Sequence, residues 1–367
     1  MTIYVFYNND PLASDQGGGA EHLRGIYRAL KENNLDYQII AAAMPRQTDA
    51  KDNRVTYIAT GPNILKFMIA MLAWFINNRK QLTSKDVFHF HRNYCIWPKV
   101  LTIGDRGRSI ITYHNQTGKK LNDWFGEKTA NMIRFLMLIM ERKAVSHCDR
   151  IIFVSDRVRQ ALKESVLREN YGKTVVIPAA FDAAAFKDPK PASKDVTKKI
   201  VSIGRLSKIK NFDLGIETLE KLNEQGLGYH LTIIGDGELR TELEQRRSKS
   251  QFSEDITLYG LAQHSEIKHI IEASGIVLVS SVSEASPTVV KEGIASLRPV
   301  VTTDVGDVGM WIKNGKNGFI CEHNSESISQ AIIKATQLLE NNQYEQSVDL
   351  ASFSEKEIMK KVIAQYQ

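Results

Sequence analysis

The sequence predicts an α/β protein with two Rossmann-like domains, each a doubly wound parallel sheet. Short apolar runs alternate with amphipathic stretches along the whole chain, as strands and helices do when they follow one another. Such alternation is typical of parallel sheets that are covered by helices on both faces. It occurs in two series, and a length of 367 residues fits two domains of ordinary size.

The first series predicts six buried strands, with a long helical stretch from about residue 122 to residue 146 before the last two. Segment 64–80 is apolar on nearly every side and ends in Arg79 and Lys80. It is too short to span a bilayer. We expect either a helix buried against the first sheet or a helix that lies in a membrane interface. The predicted strands are TIYVFY (2–7), YQIIAAA (37–43), VFHFH (87–91), SIITYHN (109–115), RIIFVS (150–155) and TVVIP (174–178).

The second series predicts five more strands, with helical patterns such as FDLGIETLEKLNEQG between them. Segment 186–199, FKDPKPASKDVTKK, separates the two series; it is polar and contains two prolines, which is typical of a linker. The end of the chain has an amphipathic pattern with Ser354 as a helix N-cap and Glu357 three residues on. We therefore expect domains over 1–185 and 186–350, and a C-terminal helix in 351–367 that packs back on the first domain. The predicted strands are KIVSIGRL (199–206), HLTIIGDG (230–237), DITLYG (255–260), GIVLVSS (275–281) and PVVTTDVG (299–306).

The composition is that of a soluble globular protein, with 43% hydrophobic and 25% charged residues. Cys95, Cys148 and Cys321 are widely spaced and odd in number, which argues against both a disulfide framework and a cysteine metal site. The first residues lack the basic start and long apolar region of a signal peptide. These features predict a cytoplasmic protein.

The net charge of +6 is unevenly spread. Residues 1–178 contain 26 Lys and Arg against 16 Asp and Glu, which gives +10, and the remainder contains 22 against 26, which gives −4. A basic first half predicts an anionic partner, for which nucleic acid and an anionic membrane surface are candidates. No clustered basic face with aromatic platforms is evident, and this disfavours nucleic acid.

Glycines and cations follow predicted strands, where ligands of doubly wound sheets bind. Gly17 to Gly19 lead into a helix near Ala20, and bare amide groups at a helix start suit a phosphate. A flexible loop would explain these glycines equally well, and the G-x-G-x-x-G spacing of dinucleotide-binding proteins is absent. Arg205 and Lys210 lie in a later loop and would suit a diphosphate, although two solvated cations would look the same.

Two glutamates, Glu284 and Glu292, lie eight residues apart around an expected helix start. Glu284 belongs to the loop before the helix, and we expect Glu292 in the first turn, where the helix dipole favours a carboxylate. Ser286, Pro287 and Thr288 between them offer backbone N–H groups and a rigid turn. Each glutamate taken alone is more often a helix-start residue than a ligand.

The motifs GGGAE, GRLSKIK, GDGE and EASPTVVKE occur in this order, each after a strand. In this combination the sequence resembles the retaining glycosyltransferases of family 4, and the resemblance implies two Rossmann-like domains that face each other across a cleft (the GT-B architecture). The resemblance covers essentially the whole chain and is densest over residues 200–319. Met310 stands where that family often has glutamate. Ala179 and Ala180 replace an asparagine and a glycine of the family pattern, so contacts of that asparagine are not expected here.

The resemblance implies that a sugar is transferred from a nucleotide diphosphate sugar, a UDP- or GDP-sugar, with retained anomeric configuration and without a cofactor or bound metal. Arg205 and Lys210 would grip the diphosphate, Glu292 the ribose and Glu284 the donor sugar. His114 would lie near the sugar, and His89 and His91 would shape the acceptor pocket. The implied donor-binding residues are Gly18, Gly19, Gly204, Arg205, Lys210, Gly235, Tyr259, Gly260, Leu261, Glu284, Ser286, Pro287, Thr288 and Glu292; the implied catalytic residues are His114, Arg205, Lys210 and Glu284.

The first domain normally holds the acceptor in this family, and here it is basic and contains an apolar helix. These properties predict a lipid-linked saccharide acceptor in cell-surface polysaccharide biosynthesis, with the enzyme at the inner face of the plasma membrane. A soluble acceptor is the alternative. A nucleotide-sugar epimerase of the same architecture is less favoured, because those enzymes do not share the glutamate pair together with Arg205 and Lys210.

Overall fold

The computed structural model describes residues 1–12, 18–43, 52–61, 63–114, 127–183 and 185–367, without the side chains of residues 18–21, 127–130 and 264. The chain forms two compact units. The first contains Met1–Ala179 together with Lys356–Gln367, and the second contains Ala180–Glu355. Each unit is built on one parallel sheet, as the strand–helix alternation predicts.

In the described residues, the sheet of the first unit has seven parallel strands in the order β3-β2-β1-β4-β5-β6-β7. The central strands are buried on both faces: all four residues of β4 and the last five of β5 are inaccessible. This is why they appear as unbroken apolar runs. The strands are β1 (Ile3–Tyr7), β2 (Tyr37–Ala43), β3 (Val55–Thr60), β4 (Val87–Phe90), β5 (Arg108–Tyr113), β6 (Arg150–Phe153) and β7 (Thr174–Val176).

The helices of the first unit differ in how much apolar surface they bury. The second helix buries Phe67, Met71 and Phe75 against the unit but leaves Leu65 and Ile69 more than half exposed. One face of this helix is therefore buried, as the first expectation for segment 64–80 has it; the other face is apolar and accessible, and its place in a membrane interface stays a prediction. The helices are α1 (Gly18–Glu32), α2 (Ile64–Asn78), α3 (Trp97–Ile103), α4 (Glu127–Ser146) and α5 (Asp156–Ala161).

The second unit has a six-stranded parallel sheet in the order β10-β9-β8-β11-β12-β13. Neighbouring residues of one strand belong to different apolar clusters: Ile200 packs with one and Val201 with the other. This is the period-two pattern of a sheet covered on both faces. The elements are β8 (Lys199–Ile203), α6 (Phe212–Asn223), β9 (His230–Ile234), α7 (Arg240–Ser248), β10 (Ile256–Gly260), α8 (His264–Glu272), β11 (Ile276–Val279), α9 (Thr288–Ala295), β12 (Val300–Thr303), α10 (Val308–Trp311), β13 (Gly318–Cys321) and α11 (Ser325–Glu340).

Segment 186–199, which the sequence suggested as the linker, lies inside the second unit, whose first residue is Ala180. The linker prediction is wrong because the segment anchors to the core in spite of its polar composition. Phe186 is 5% exposed and packs with Phe181 in one of the two apolar clusters. Arg298 is also buried and donates a hydrogen bond to the carbonyl oxygen of Lys190 at 2.8 Å.

The last helix, α12 (Glu355–Ile363), packs in the first unit from Lys356 onward. Ile358, Met359 and Val362 are buried, as is Tyr366 beyond the helix. Arg108, the first residue of β5, donates hydrogen bonds to the last carbonyl groups of this segment. The end of the chain is therefore held by both apolar packing and charge-assisted hydrogen bonds.

None of the helices in the described residues is both long enough and apolar enough to cross a bilayer.

Candidate functional site

The second unit changes strand order at β8, which pairs with β9 on one side and with β11 on the other. Ligands of doubly wound sheets bind outside the carboxyl ends of the strands at such a switch point. The loop after β8 contains Gly204, Arg205 and Lys210, and the loop after β11 contains Glu284. The fold therefore brings two of the predicted motifs to the same end of one sheet.

Lys210 and Glu284 form an ion pair at this switch point. Lys210 Nζ donates a hydrogen bond to Glu284 Oε1, and the same oxygen accepts a hydrogen bond from Ser281 Oγ at 2.9 Å. Their side chains are only 24% and 16% exposed. A lysine held in this way is a fixed positive charge for an anionic ligand, and the carboxylate can accept hydrogen bonds from hydroxyl groups.

Three predicted glycines lie side by side next to this ion pair, because β8, β9 and β10 are neighbours. Gly204 N donates to Ile234 O at 2.9 Å, and Gly235 N donates to Gly260 O at 2.8 Å. A Cβ atom on Gly235, which has φ +139°, would lie 1.9 Å from Gly204 O. Only glycine fits there. Lys210 Cε would lie 3.2 Å from a Cβ atom on Gly204, so the glycine row and the lysine are in direct contact.

Ser286 belongs to a buried polar network with Lys291 and Asp307. The Ser286 hydroxyl donates to Asp307 Oδ2 at 2.7 Å and accepts from Lys291 Nζ at 2.9 Å. Lys291 Nζ also lies 4.7 Å from the centre of the Trp311 ring, a favourable cation–π distance. Burial lowers the pKa of Lys291 to about 8 and raises the pKa of Asp307. This network commits the Ser286 side chain to the protein, so its backbone is the part left for a ligand.

The expected position of Glu292 in the first helical turn is wrong. Helix α9 begins at Thr288, directly after Pro287, so Glu292 is its fifth residue and lies in the second turn. Pro287 is the N-cap residue and its backbone is extended, with φ −70° and ψ 114°, so the first helical residue is Thr288. The helix dipole favours carboxylates in the first turn, and it therefore gives no support for a ligand role of Glu292, which is 8% exposed.

The remaining predicted residues of the second unit are on its surface. The Arg205 side chain is 73% exposed and lies 3.7 Å from Glu238 Oε2 in a weak ion pair. Tyr259 and Leu261 are also more than half exposed, on either side of Gly260 at the end of β10. The structure places Arg205 in the same loop as Lys210 but does not bring its side chain into the Lys210–Glu284 pair.

The first unit has its own switch point at β1, which pairs with β2 on one side and β4 on the other. Helix α1 follows β1 and begins at Gly18, two residues before the expected start, so that Gly18 and Gly19 form its first turn. The N–H groups of a first turn have no intrahelical acceptors and suit an anion. Gly17 lies outside the described residues.

Histidines cluster at this second switch point. His91 follows β4 and His114 follows β5; His91 Nδ1 and His114 Nε2 lie 3.0 Å apart. The ring of His22, on α1, lies 5.6 Å from the ring of His91 and 5.1 Å from that of His114 between centroids. Burial, followed by neighbouring positive charges, holds the pKa of His91 and of His114 well below the usual range. These two imidazoles are therefore neutral at physiological pH.

His89 does not belong to the accessible part of this cluster, contrary to the expectation that it ends its strand and shapes a pocket. It lies within β4 and is fully buried. Its Nδ1 hydrogen-bonds to the Tyr366 hydroxyl at 2.8 Å and its Nε2 to Thr112 Oγ1 at 2.7 Å. Burial lowers the pKa of His89 to about 3. Both ring nitrogens are used within the protein, and His89 has none left for a ligand.

Sequence reasoning missed Lys291, Asp307 and His22 as members of these clusters. Lys291 is surrounded by an apolar run and looks like an exposed helix residue until its contacts are known. His22 had a signal that could have been used, since it follows the glycine run at a spacing that places it on the first turns of the helix.

Family comparisons agree with this arrangement of strands and motifs. The model described as Glycosyltransferase Family 4 matches residues 16–185, and the model described as Glycosyl transferases group 1 matches residues 184–354. Together they cover most of the chain. The chain belongs to glycosyltransferase family 4. This family-4 chain has two Rossmann-like domains, and the match to the second model includes Lys210 and Glu284.

Among curated relatives, the gpi3 subunit of phosphatidylinositol N-acetylglucosaminyltransferase from Schizosaccharomyces pombe is 33% identical over 167 residues, which is 45% of this chain and 36% of that protein. The amylovoran biosynthesis glycosyltransferase AmsK of Erwinia amylovora is 25% identical over 146 residues, 38% of this chain and 36% of that protein. The family-4 chain thus matches about a third of the length of each of these relatives.

Solved structures share the fold over the whole chain. Sucrose-phosphate synthase from Thermosynechococcus elongatus has a TM-score of 0.76 at 19% identity and covers 100% of this chain and 98% of its own. Anabaena HepE in complex with UDP-glucose has a TM-score of 0.70 at 16% identity, with coverage of 100% and 99%. At these identities the likeness shows only the fold of the family-4 chain.

Proposed function

We propose that the protein is a retaining glycosyltransferase that moves a hexosyl or N-acetylhexosaminyl group from a UDP- or GDP-sugar to a lipid-linked saccharide in cell-surface polysaccharide biosynthesis. The observation that carries the proposal is the Lys210–Glu284 ion pair beside the glycine row at the switch point of the second unit. The lysine provides a positive charge for the diphosphate, the glutamate accepts hydrogen bonds from sugar hydroxyl groups, and the glycine backbone lets the ligand approach closely. The UDP-glucose complex of Anabaena HepE, which has the same fold, supports a uridine donor.

In this proposal the donor diphosphate binds next to Lys210 and over Gly204 and Gly235. Lys210 stabilises the negative charge that develops on the leaving diphosphate as the glycosidic bond breaks, and the exposed Arg205 turns toward the same phosphates. No metal is needed, because the cations supply the charge that a divalent ion would otherwise provide. Glu284 loses part of its bond with Lys210 and accepts hydrogen bonds from hydroxyl groups of the donor sugar.

The roles of the surrounding residues follow from the same pose. Ser286, Pro287 and Thr288 offer backbone groups at the start of α9, and the buried network around Ser286 keeps that turn in place. The ribose role of Glu292 rests on the resemblance to family 4 alone, because Glu292 is buried in the second turn of α9; the same resemblance puts the segment from Tyr259 to Leu261 beside the base. For the first unit, the resemblance to family 4 implies that Gly18 and Gly19 offer first-turn amides to a phosphate, that His114 would lie near the sugar, and that His91 would shape the acceptor pocket.

The proposed acceptor side is the first unit, which is basic and has exposed apolar side chains on two helices. On α2, Leu65, Ile69 and Ile76 are exposed, and Arg79 and Lys80 follow directly. On α4, Met132, Phe135, Leu136 and Met140 are exposed with a helical spacing that places them on one face. Apolar faces with basic neighbours bind anionic lipid surfaces. Peripheral binding at the cytoplasmic face of a membrane would bring the enzyme to a lipid-linked acceptor.

Thermal-shift screening with nucleoside diphosphates and their sugars tests the donor part of the proposal, because a ligand that binds the folded state raises the midpoint of unfolding. We expect a UDP- or GDP-sugar to raise it, and we expect no such rise with nucleoside monophosphates at equal concentration. The absence of a rise with every nucleoside diphosphate and every sugar derivative would contradict the proposal.

Vesicle sedimentation tests the acceptor side. We expect the protein to sediment with anionic vesicles at low salt and to remain in solution with neutral ones. A variant with Phe135→Glu and Leu136→Glu should lose this binding, while a control with Glu at the exposed Tyr259 of the second unit should keep it. Failure of the wild type to sediment at low salt would favour a soluble acceptor.

A further inference from the structure

Three imidazoles from separate parts of the chain converge in the first unit. His22 comes from α1, His91 from the end of β4 and His114 from the end of β5. One nitrogen of each ring lies within 4.8 Å of one nitrogen of both others. His22 and His91 are buried, and His114 is half-buried. Nothing in the proposed glycosyl transfer requires three histidines at such short range.

We propose that His22, His91 and His114 form a binding site for a borderline divalent transition metal, with Zn²⁺ as the favoured ion. Imidazole nitrogen is a preferred ligand of Zn²⁺, Cu²⁺ and Ni²⁺, whereas Mg²⁺ and Ca²⁺ prefer oxygen ligands. Three histidines with a fourth position left for water or another ligand are a known coordination set for Zn²⁺. The proposed metal site shares His91 and His114 with the acceptor side of the proposed transfer, so its test measures metal binding directly and not sugar transfer.

The distances allow coordination with small side-chain movements. Zn–N bonds are about 2.0–2.1 Å long, so tetrahedral ligand atoms lie roughly 3.4 Å apart. His91 Nδ1 and His114 Nε2, at 3.0 Å, are already close to this separation. The 4.8 Å limit on the remaining pairs means that His22 has to approach by an ångström or so. It lies on the second turn of α1, where a change of side-chain rotamer provides that movement.

His91 supplies a second observation that points to a ligand. Its ring is 1% exposed, and its Nε2 atom has no hydrogen-bond partner among the described residues. A buried polar atom without a partner costs free energy, and most such atoms in native proteins have one. Within the described residues the His91 imidazole is therefore bonded only through Nδ1, to His114, which leaves it less completely satisfied than the His89 ring.

Neighbouring groups hold the cluster in shape but limit its affinity. The His89 ring, fixed by Tyr366 and Thr112, packs 4.4 Å from the His91 ring between centroids. The guanidinium group of Arg92 lies over the Tyr7 ring at 5.9 Å, and its positive charge opposes a second cation nearby. We therefore infer a site that exchanges metal with solution, rather than one that needs metal to fold.

Cobalt is the direct probe, because Co²⁺ replaces Zn²⁺ in such sites and absorbs visible light when it is four-coordinate. We expect titration of the intact protein with Co²⁺ to give a visible band that saturates at one equivalent and disappears when Zn²⁺ is added. The His22→Gln variant should bind Co²⁺ at least about tenfold more weakly. The matched control, His269→Gln, removes an exposed histidine of the second unit and should leave the titration unchanged.

A second variant keeps the test valid if His22→Gln is poorly folded. His22→Cys places a thiolate in the same position, and a ligand there should add a near-ultraviolet sulfur-to-cobalt charge-transfer band that the wild type lacks. One equivalent of Co²⁺ in the wild type, with this new band in His22→Cys, supports the site. No saturable Co²⁺ binding by the wild type, or binding that His22→Gln leaves unchanged, overturns it.

Discussion

In both units the candidate ligand-binding side chains lie at the switch point of the sheet. These side chains are charged in the second unit and neutral in the first. In the second unit, the switch point carries a pair of opposite charges, Lys210 and Glu284, on a floor of glycine backbone. In the first unit, it carries His91 and His114, which burial keeps neutral. The comparison teaches that sheet topology fixes where a ligand can bind, while the residues after each strand decide which ligand it is.

The largest expected difference between the two units is in how their stability depends on acid: a fall in pH should destabilise the first unit more than the second. In the first unit, the pKa of His89 is about 3 in the folded state and about 6.5 when unfolded. The unfolded state therefore binds the proton first as the pH falls, and stability is lost between pH 6.5 and pH 3. For His89 alone this loss is roughly 5 kcal/mol, and His91 and His114 act in the same direction. In the second unit, the raised pKa of Asp307 has the opposite effect, because its protonation favours the folded state.

Tryptophan fluorescence can follow this difference, since Trp74 and Trp97 belong to the first unit and Trp311 to the second. In a Trp311→Phe variant, every remaining tryptophan lies between Met1 and Ala179, so the fluorescence reports on the first unit. The urea midpoint measured in this way should fall steeply below pH 6.5. A midpoint that stays constant down to pH 4 would contradict the buried neutral state of these histidines.

Loss of one partner in the buried network of the second unit should have the next largest effect. Lys291→Met leaves Asp307 buried without its positive neighbour, which typically destabilises a protein by about 3–5 kcal/mol. The control is Lys291→Met combined with Asp307→Asn, which removes both charges and should recover part of the loss. Urea unfolding compares the three proteins. Equal midpoints for wild type and Lys291→Met would show that the network contributes nothing to stability.

Lys210→Ala should lower turnover by about 10- to 1000-fold, as does the loss of a group that stabilises developing negative charge. The matched control is Lys208→Ala, which removes an exposed lysine from the same loop and should leave turnover unchanged. Release of nucleoside diphosphate from the donor, with water as the acceptor, provides a measurement that needs no knowledge of the saccharide. An equal effect of both substitutions would remove the special role of Lys210.

Arg205→Ala should have a smaller effect, of about tenfold. Its side chain is mostly exposed and has only a distant ion pair with Glu238. Binding of phosphate must therefore order a flexible side chain, and the lost conformational entropy reduces the net stabilisation. The same assay of nucleoside diphosphate release compares the loss of turnover in Arg205→Ala with that in Lys210→Ala. A loss larger than that of Lys210→Ala would mean that Arg205, not Lys210, provides most of the stabilisation.

The sequence was enough to predict the fold class and the neighbourhood of Lys210 and Glu284, because both follow buried strands and ligands bind at strand ends. It was not enough to predict β3 and β13. The first is partly exposed and mixes polar with apolar residues, and the second is four residues long and begins with Gly318. Short or half-exposed strands have no unbroken apolar run by which they can be recognised.

The errors at individual residues have local causes. The segment that contains Phe186 looks like a linker, because its polar composition does not reveal one buried aromatic ring. Glu292 was expected one turn too early, since the start that Pro287 imposes on α9 was overlooked. Lys291 and Asp307 are sixteen residues apart in the sequence. They come close in space because the loop after β12 runs back to the start of α9. Gly306 makes that return possible: a Cβ atom there would lie 2.3 Å from Ala285 O.

Calorimetric titration of the intact protein with UDP and UDP-hexoses, and with their guanosine counterparts, tests the central claim most directly. The account predicts that one of these ligands binds the wild type, that Lys210→Ala weakens binding of both the nucleotide and its sugar at least about tenfold, and that Glu284→Gln weakens the sugar derivative more than the free nucleotide. If Lys210→Ala bound the same ligand as tightly as the wild type, the Lys210–Glu284 pair would not be the donor site.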